Sequence, residues 1–123
     1  MNYLKINDIE AYNIGFNFSN KVWDLVIVWS YLAQKTIGAQ LIDAADSISA
    51  NIAEGFGRYH KKDKIKFYHY SRGSVLECVD WLSKSKVRNL ITPDHYTELR
   101  NELEKLPKSI NSLIKYTNLQ LKE

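Results

Sequence analysis

The chain contains few of the residues that interrupt helices. Only two prolines and five glycines occur among its 123 residues, and long stretches contain neither. A many-stranded β-sandwich needs frequent turns, so this scarcity favours helices. The length is that of one ordinary domain, and no linker or internal repeat divides it. We therefore predict a single all-α domain covering residues 1–123.

Cysteine and long apolar runs are also scarce. Cys78 is the only cysteine and cannot form an internal disulfide, which fits a reducing environment. The first residues lack a basic segment followed by an apolar run, so we expect no signal peptide. The most apolar stretch, VWDLVIVWSYL at 22–32, is shorter than the roughly 20 residues that a bilayer crossing needs. These features predict a cytoplasmic protein without a membrane segment.

Catalytic and metal-binding patterns are lacking as well. GFG at 55–57 is not part of the GxxxxGK[ST] pattern of a phosphate-binding loop. His60, His69 and His95 do not have the i, i+4 spacing of a helical zinc site. Asp63 is the only carboxylate in the most basic segment, so paired carboxylates for acid-base catalysis are not indicated. We predict no enzymatic activity, no cofactor and no small-molecule substrate; a nucleic-acid-processing enzyme is the least favoured alternative.

The apolar residues that are present recur at helical spacing. Four stripes are expected to face the core: Ile9, Tyr12, Phe16, Trp23 and Val26; Ile37, Leu41, Ala44, Ile48, Ile52 and Gly55; Ile65, Tyr68, Arg72, Val75, Val79 and Leu82; and Tyr96, Leu99, Leu103, Leu106, Ile110 and Leu113. Helices joined by short connections favour an up-down-up-down four-helix bundle.

Helix boundaries can be predicted at several points. The first helix is expected to begin near Asn7, although LVIV at 25–28 could also be a strand. The second should end near Gly55 in a left-handed conformation, with Gly57 allowing the chain to reverse. The third is predicted over roughly residues 62–88 from its apolar spacing. The fourth should begin at Thr92 and Pro93 and kink at Pro107.

Arg72 is the charged residue in the third stripe. A buried guanidinium is costly unless its charge is paired and its donors are satisfied. We therefore predict a buried ion pair between Arg72 and Glu54, joined by Asn51 or Ser74. The alternative is a polar catalytic pocket formed by the same residues.

Residues 22–32 are more apolar than one core-facing stripe requires. Nine of these eleven residues are apolar. We predict that Trp23, Ile27, Val28 and Trp29 form an interface between copies of the chain. The alternative is that Trp23 and Trp29 cover the end of the bundle, since single apolar side chains are common on protein surfaces.

Positive charge is concentrated in residues 58–72, which contain six Lys or Arg and one acidic residue. We call residues 58–66 the basic corner. The predicted nucleic-acid-binding residues are Arg58, Tyr59, Lys61, Lys62, Lys64 and Lys66, interleaved with His60 and followed by Tyr68. Lysine and arginine neutralise phosphates, and aromatic rings stack on unpaired bases. The alternative is a helix start with solvated lysines. Cations at a helix N-terminus are unfavourable, however, so their presence here indicates a function rather than a contribution to stability.

SISANIAEGFGR at 47–58 and FYHYSRGSVLE at 67–77 form a pattern that resembles a known family. It is similar to small bacterial four-helix-bundle proteins encoded in intervening sequences of the large-subunit ribosomal RNA gene. The matching motif residues are Asn51, Glu54, Gly55, Gly57, Arg58, Arg72, Gly73, Ser74 and Glu77. Asp43 departs from the pattern, because the family commonly has a basic residue there.

The resemblance implies an up-down bundle, often a ring of five copies, with no established enzymatic activity. Relatives of the same fold accompany reverse transcriptases in retroelements and contact nucleic acid. We therefore expect a non-enzymatic homo-oligomer, with a pentamer suggested by the resemblance, that binds RNA, DNA or a nucleoprotein through the basic corner. The alternative is a structural or scaffolding oligomer without a nucleic-acid role.

Overall fold

The fold is an up-down-up-down bundle of four helices, described by a computed structural model over residues 4–121. Helix α1 spans Glu10–Val26 and follows a short 3-10 turn, Ile6–Asp8. Helix α2 runs continuously through Tyr31–Ala33, a π-helical segment Gln34–Gly38, and Ala39–Gly57. Helix α3 spans Lys61–Val87, and α4 consists of Pro93–Glu104 and Leu106–Gln120. The predicted all-α bundle is confirmed, and LVIV is not a strand, because α1 continues to Val26 before a turn.

Each helix packs beside the next one in the chain, and α4 returns to pack beside α1. Helices α1 and α3 therefore lie on one diagonal of the bundle. This order gives the bundle two opposite faces, one formed by α1 and α2 and the other by α3 and α4. No helix within residues 4–121 is both long and apolar enough to cross a membrane.

The predicted inner faces are correct for α2 and α4. All six stripe residues of α2 are buried, as are Leu99, Leu103, Leu106 and Ile110 of α4. Tyr96 and Leu113 are partly buried and pack against the same core. Most apolar residues of these helices lie on one side, so the helical period identifies the core-facing side.

The predicted inner face of α1 is wrong for Phe16 and Trp23, although Ile9 and Val26 are buried as predicted. Phe16 and Trp23 are about half exposed, and the buried residues of α1 are Ala11, Gly15, Phe18, Ser19, Val22 and Val26. Gly15 explains the rotation of the helix, because a Cβ there would lie 2.8 Å from the Cγ2 atom of Ile48. Close packing of α1 on α2 thus selects a small residue at this contact, and Phe16 and Trp23 lie outside it.

The inner face of α3 is also rotated from the prediction, towards α2. Its buried residues are Tyr68, Ser71, Val75, Cys78, Leu82 and Ser85. The buried hydroxyl of Ser71 donates to the carbonyl oxygen of Ile48 at 2.7 Å. A serine can face the core here because a backbone acceptor satisfies it. Arg72, Val79 and Ile65 are only partly buried as a result.

The helix ends follow the sequence signals at α4 but not at α2. Thr92 accepts a hydrogen bond from the backbone N–H of His95 at 3.2 Å. Near Pro107, where a kink within one helix is predicted, the helix is interrupted at Lys105. Gly55 is not left-handed, since no glycine among the described residues has a positive φ. Helix α2 instead continues to Gly57, and Arg58 is extended.

Candidate nucleic-acid interface

The basic corner lies where α2 ends and α3 begins. Gly55 brings the two helices together, because a Cβ there would lie 2.8 Å from both the carbonyl oxygen of Lys64 and the Cε1 atom of Tyr68. Three residues, 58–60, connect the helices. Tyr59 is 88% exposed, and its ring contacts the edge of the His60 ring with centroids 5.1 Å apart. The connection thus presents an aromatic side chain to solvent from a closely packed corner.

Lys64 has a structural role at this corner. Its Nζ atom donates to the carbonyl oxygen of Phe56 at 2.7 Å and lies 3.5 Å from that of Gly55. These carbonyls belong to the last turn of α2, where a positive charge is favourable and free acceptors need partners. Burial lowers the pKa of Lys64. Of the predicted phosphate-binding lysines, this one stabilises the junction between the two helices.

Arg58 and Tyr68 are also engaged within the protein. The Nη2 atom of Arg58 donates to the Oε1 atom of Glu54 at 2.7 Å, and its Cζ atom lies 4.7 Å from the centre of the Phe67 ring. Tyr68 is almost completely buried, and burial raises the pKa of its hydroxyl to about 12. Tyr68 therefore cannot stack on a base, and its expected place among the surface aromatics is wrong.

Lys61, Lys62 and Lys66 have no carboxylate partner among residues 4–121, and unlike Lys64 they do not donate to the last carbonyls of α2. Lys62 and Lys66 are exposed and Lys61 is partly buried. The Nζ atom of Lys66 lies 5.9 Å from the centre of the Tyr70 ring. We call these three lysines the open cations. With Tyr59 they combine positive charge and an accessible ring within eight consecutive residues, as a phosphate-and-base contact would require.

The predicted ion pair between Glu54 and Arg72 is wrong. Arg72 is partly buried and its Nη1 atom donates to the Oδ1 atom of Asn111 on α4 at 2.6 Å, whereas Glu54 pairs with Arg58. Asn51 and Ser74 donate to backbone carbonyls of their own helices. Arg72 faces α4 and Glu54 lies on the outer side of α2, so these four side chains do not form one pocket.

The remaining motif residues lie along α2 and α3. Gly57 and Gly73 have no atoms within 4 Å of where a Cβ would be placed. Neither glycine is therefore required by packing within residues 4–121. Glu77 accepts a hydrogen bond from the indole N–H of Trp81, with 3.2 Å between Oε2 and Nε1.

The apolar segment 22–32 lies at the opposite end of the bundle. Trp23 is 53% and Val28 79% exposed, and Ile27 is about half exposed. Trp29 differs, because it is partly buried against the core, and its buried Nε1 atom has no hydrogen-bond partner among the described residues. Trp29 thus covers the end of the bundle, as the alternative interpretation expects, whereas Trp23, which that interpretation places there too, is accessible together with Ile27 and Val28.

The histidines and the cysteine lie in separate places. His60 is in the basic corner, His69 is exposed on α3, and His95 lies in the first turn of α4. Within residues 4–121, no three His, Cys, Asp or Glu side chains are grouped as a metal site. Cys78 is buried, and burial raises the pKa of its thiol, with smaller contributions from Glu77 and Asp46.

Comparison with known proteins gives a family match and a similar solved structure, each over most of the chain. The family described as 23S rRNA-intervening sequence protein matches residues 7–112. The fold resembles the crystal structure of a protein with unknown function from the S23 ribosomal protein family of Bacteroides thetaiotaomicron VPI-5482. That likeness has a TM-score of 0.75 and 22% sequence identity, and covers 85% of this chain and 97% of the other. A comparison with curated proteins gives no match.

Proposed function

This chain belongs to the 23S rRNA-intervening sequence protein family, and we propose that it is a non-enzymatic, self-assembling bundle that binds nucleic acid through its basic corner. The observation that carries the proposal is the set of open cations beside Tyr59. Three lysines without a carboxylate partner in the described chain and an 88% exposed ring lie on consecutive turns around residue 60. Phosphates and unpaired bases are the partners that satisfy both features at once.

The neighbouring contacts support this proposal by holding the corner in one conformation. Lys64 joins the start of α3 to the last carbonyls of α2, and Arg58 is held by Glu54 and the Phe67 ring. A surface that is already ordered loses less conformational entropy on binding. The proposed ligand is single-stranded RNA or DNA, alone or in a nucleoprotein, because a base can stack on Tyr59 only when it is unpaired.

Self-assembly would increase the affinity of such a small surface. Each copy contributes one basic corner. Once one corner of an assembly has bound a strand, the other corners are held near the same strand at a high effective concentration. The accessible Trp23, Ile27 and Val28 support an interface between copies, since contiguous exposed apolar surface often marks one. The pentamer implied by the family resemblance and a cytoplasmic location are part of this proposal.

The test is a titration of labelled single-stranded RNA and DNA of mixed sequence at several salt concentrations. Lys61, Lys62 and Lys66 are changed together to Gln, and Lys64 is retained because it stabilises the corner. The matched control changes Lys86, Lys105 and Lys108 to Gln, which removes the same charge elsewhere. We expect the corner variant to bind all sequences more weakly and to flatten the slope of log affinity against log salt by about 0.7 for each phosphate that is no longer neutralised. The control should keep most of the affinity and the slope.

Tyr59 gives an independent test of base stacking. Tyr59→Ala should weaken binding of single strands by about 1 to 3 kcal/mol with little change in salt dependence, whereas Tyr59→Phe should retain most of the affinity because it keeps the ring. Equal losses for the corner and control variants would contradict the proposal. Multiple-turnover cleavage of the labelled strand would contradict its non-enzymatic part.

The second candidate function is a scaffold that binds only protein. The exposed apolar residues at the α1 to α2 turn support it, because they offer an interaction surface without phosphate-binding groups. It becomes the better explanation if wild-type protein shows no salt-sensitive binding of RNA or DNA.

A further inference from the structure

An exposed apolar stripe runs along the outside of α1. It consists of Tyr12, Phe16, Trp23 and Ile27, which share one side of a helix that turns roughly 100° per residue. Phe16, Trp23 and Ile27 are each about half exposed, and the rings of Tyr12 and Phe16 are in contact with centroids 5.9 Å apart. We call these four residues the outer α1 stripe.

The outer α1 stripe lies on the face formed by α1 and α2. Lys21 marks the opposite side of α1, because its Nζ atom lies 3.4 Å from Glu98 and 3.5 Å from Glu102, both on α4. The stripe is therefore directed away from α4 and towards the side of α2. Asp46 lies on that side of α2, one turn before Ser49, which packs against Gly15 of α1.

A second apolar surface lies on the opposite face, between α3 and α4. A groove of about 370 Å³ is lined by Val75, Leu76, Val79, Leu103 and Pro107, with Arg72, Arg100 and Glu104 at its rim. Leu76 is 70% exposed. We call this surface the α3/α4 groove. Its apolar floor and the outer α1 stripe are on different faces of the bundle. Within one molecule, therefore, neither surface can cover the other.

The charges beside the two surfaces are complementary. Asp43 and Asp46 have no cationic partner within the described chain, and partial burial together with the charge of Asp43 raises the pKa of Asp46. At the groove, Arg72 is bonded to the neutral Asn111, and Arg100 lies 3.5 Å from Glu104. One face therefore carries unpaired negative charge and the other has an arginine without a carboxylate.

We propose that the outer α1 stripe of one copy docks in the α3/α4 groove of the next copy, with Asp46 facing Arg72. This inference rests on the proposed self-assembly and specifies its contact. Burial of aromatic and aliphatic side chains supplies the binding energy, and the opposite charges fix the orientation. The two surfaces are different, so the contact is heterologous. Each copy contributes its stripe to the contact with one neighbour and its groove to the contact with the other, and repetition gives a closed ring or an open filament.

The first experiment blocks one surface at a time. Trp23→Asp blocks the stripe and Leu76→Asp blocks the groove, because an unpaired carboxylate is costly to bury. Light scattering should give a monomer mass for each variant alone. An equimolar mixture should give a dimer with one copy of each, because one intact stripe and one intact groove remain. Leu119→Asp, at a residue 73% exposed elsewhere on the bundle, is the control and should keep the wild-type mass.

The outcomes separate this contact from self-assembly in general. A wild-type oligomer whose mass neither variant reduces would leave self-assembly intact and overturn this contact. Loss of assembly with Trp23→Asp but not with Leu76→Asp would show that the stripe pairs with itself, which also overturns it. An equimolar mixture of the two variants that stays monomeric would also overturn this contact. A monomeric wild type would overturn self-assembly and this inference together.

A charge exchange provides a second test that does not depend on the apolar residues. Asp46→Arg and Arg72→Asp should each weaken assembly by placing like charges together. The double variant Asp46→Arg with Arg72→Asp should recover at least half of the wild-type oligomer at the same protein concentration. Circular dichroism of each variant confirms that it is folded. A double variant that assembles no better than the single variants would contradict the proposed pairing of these residues.

Discussion

The basic corner and the turn between α1 and α2 lie at opposite ends of the bundle, and each contains a run of chemically similar residues. At the corner, Lys64 is bonded to the last turn of α2, whereas Lys62 is exposed. At the other end, Trp29 packs against the core, whereas Val28 is 79% exposed. Neighbouring residues of one chemical type therefore have different roles, because each successive residue faces a different direction.

Both ends also contain a glycine that a neighbouring helix or turn packs against. A Cβ at Gly55 would lie 2.8 Å from the carbonyl oxygen of Lys64, and one at Gly38 would lie 2.7 Å from the Cγ1 atom of Val26. The contacts differ in degree, because at Gly38 the nearest backbone atom is the oxygen of Ala33 at 3.0 Å, whereas at Gly55 a backbone oxygen already lies at 2.8 Å. The corner should consequently be the less tolerant end, and four predictions test this difference.

The largest effect is expected at Gly55. Gly55→Val should destabilise the fold by about 3 kcal/mol, because the new side chain would overlap the backbone of α3 and the ring of Tyr68. Gly73→Ala is the matched control and should stabilise by about 0.5 to 1 kcal/mol, since that helical site is open and alanine has the higher helix propensity. Urea unfolding at one protein concentration measures both. A destabilisation of less than about 1 kcal/mol at Gly55 would show that α2 and α3 can separate slightly without cost.

Trp29 tests the other end of the bundle. Trp29→Ala should cost about 2 kcal/mol, less than a fully buried tryptophan, because only part of the ring packs against the core. Val28→Ala should change the stability by less than about 0.5 kcal/mol, as expected for an exposed site. Thermal unfolding of the two variants is the measurement. Similar values would mean that the packing of Trp29 against the core contributes little to stability.

Lys64 and Lys62 provide the same comparison within the basic corner. Lys64→Gln should destabilise by about 1 to 2 kcal/mol, because carbonyl oxygens at the end of α2 lose a charged donor. Lys62→Gln should be within about 0.5 kcal/mol of wild type. Urea unfolding distinguishes them. If neither change affects stability, Lys64 is free to bind phosphate, and it should then be included in the multiple variant.

Tyr68 is expected to give the smallest effect, and only at high pH. Its folded-state pKa is about 12, above the value of about 10 in an unfolded chain. The unfolded state therefore ionises first, and the contribution to stability is complete below about pH 10 and is lost as the pH rises towards 12. At about pH 11 the decrease in stability should be about 1 kcal/mol relative to neutral pH. Tyr68→Phe should remove this part of the alkaline dependence, as shown by urea unfolding across the pH range.

The sequence is sufficient to predict the fold, because the signals that determine it are local. The Thr92 and Pro93 start and the Pro107 interruption need only neighbouring residues. The inner faces of α2 and α4 follow from apolar spacing alone. In each case the physical cause acts within one or two helical turns, so the sequence contains the whole signal.

The errors at α1 and at Lys64 have one cause, which is that the distance between helices is not encoded locally. In α1 the apolar spacing assigns the largest residues to the core, but Gly15 brings α1 so close to α2 that Phe16 and Trp23 lie outside. Similarly, charge alone predicts that Lys64 binds phosphate. In the structure Lys64 binds the carbonyl oxygen of Phe56, which belongs to another helix and gives no local signal beside Lys64. Gly15 is a usable signal, since a small residue within an apolar helix often marks close packing.

The π-helical segment Gln34–Gly38 has a consequence for how this chain tolerates changes in length. A π turn contains one residue more than the α-helical turn it replaces, and here the side chain of Gln34 also bonds to the carbonyl oxygens of Val26 and Ile27. The extra residue is accommodated before most of the core-facing residues of α2, of which Ile37 and Gly38 lie within the segment itself. Removing one residue from this segment would restore a regular helix, whereas removing one after Gly38 would rotate every core residue of α2 by about 100°. The segment is thus the place where insertions and deletions in α2 can accumulate without changing the register of the bundle.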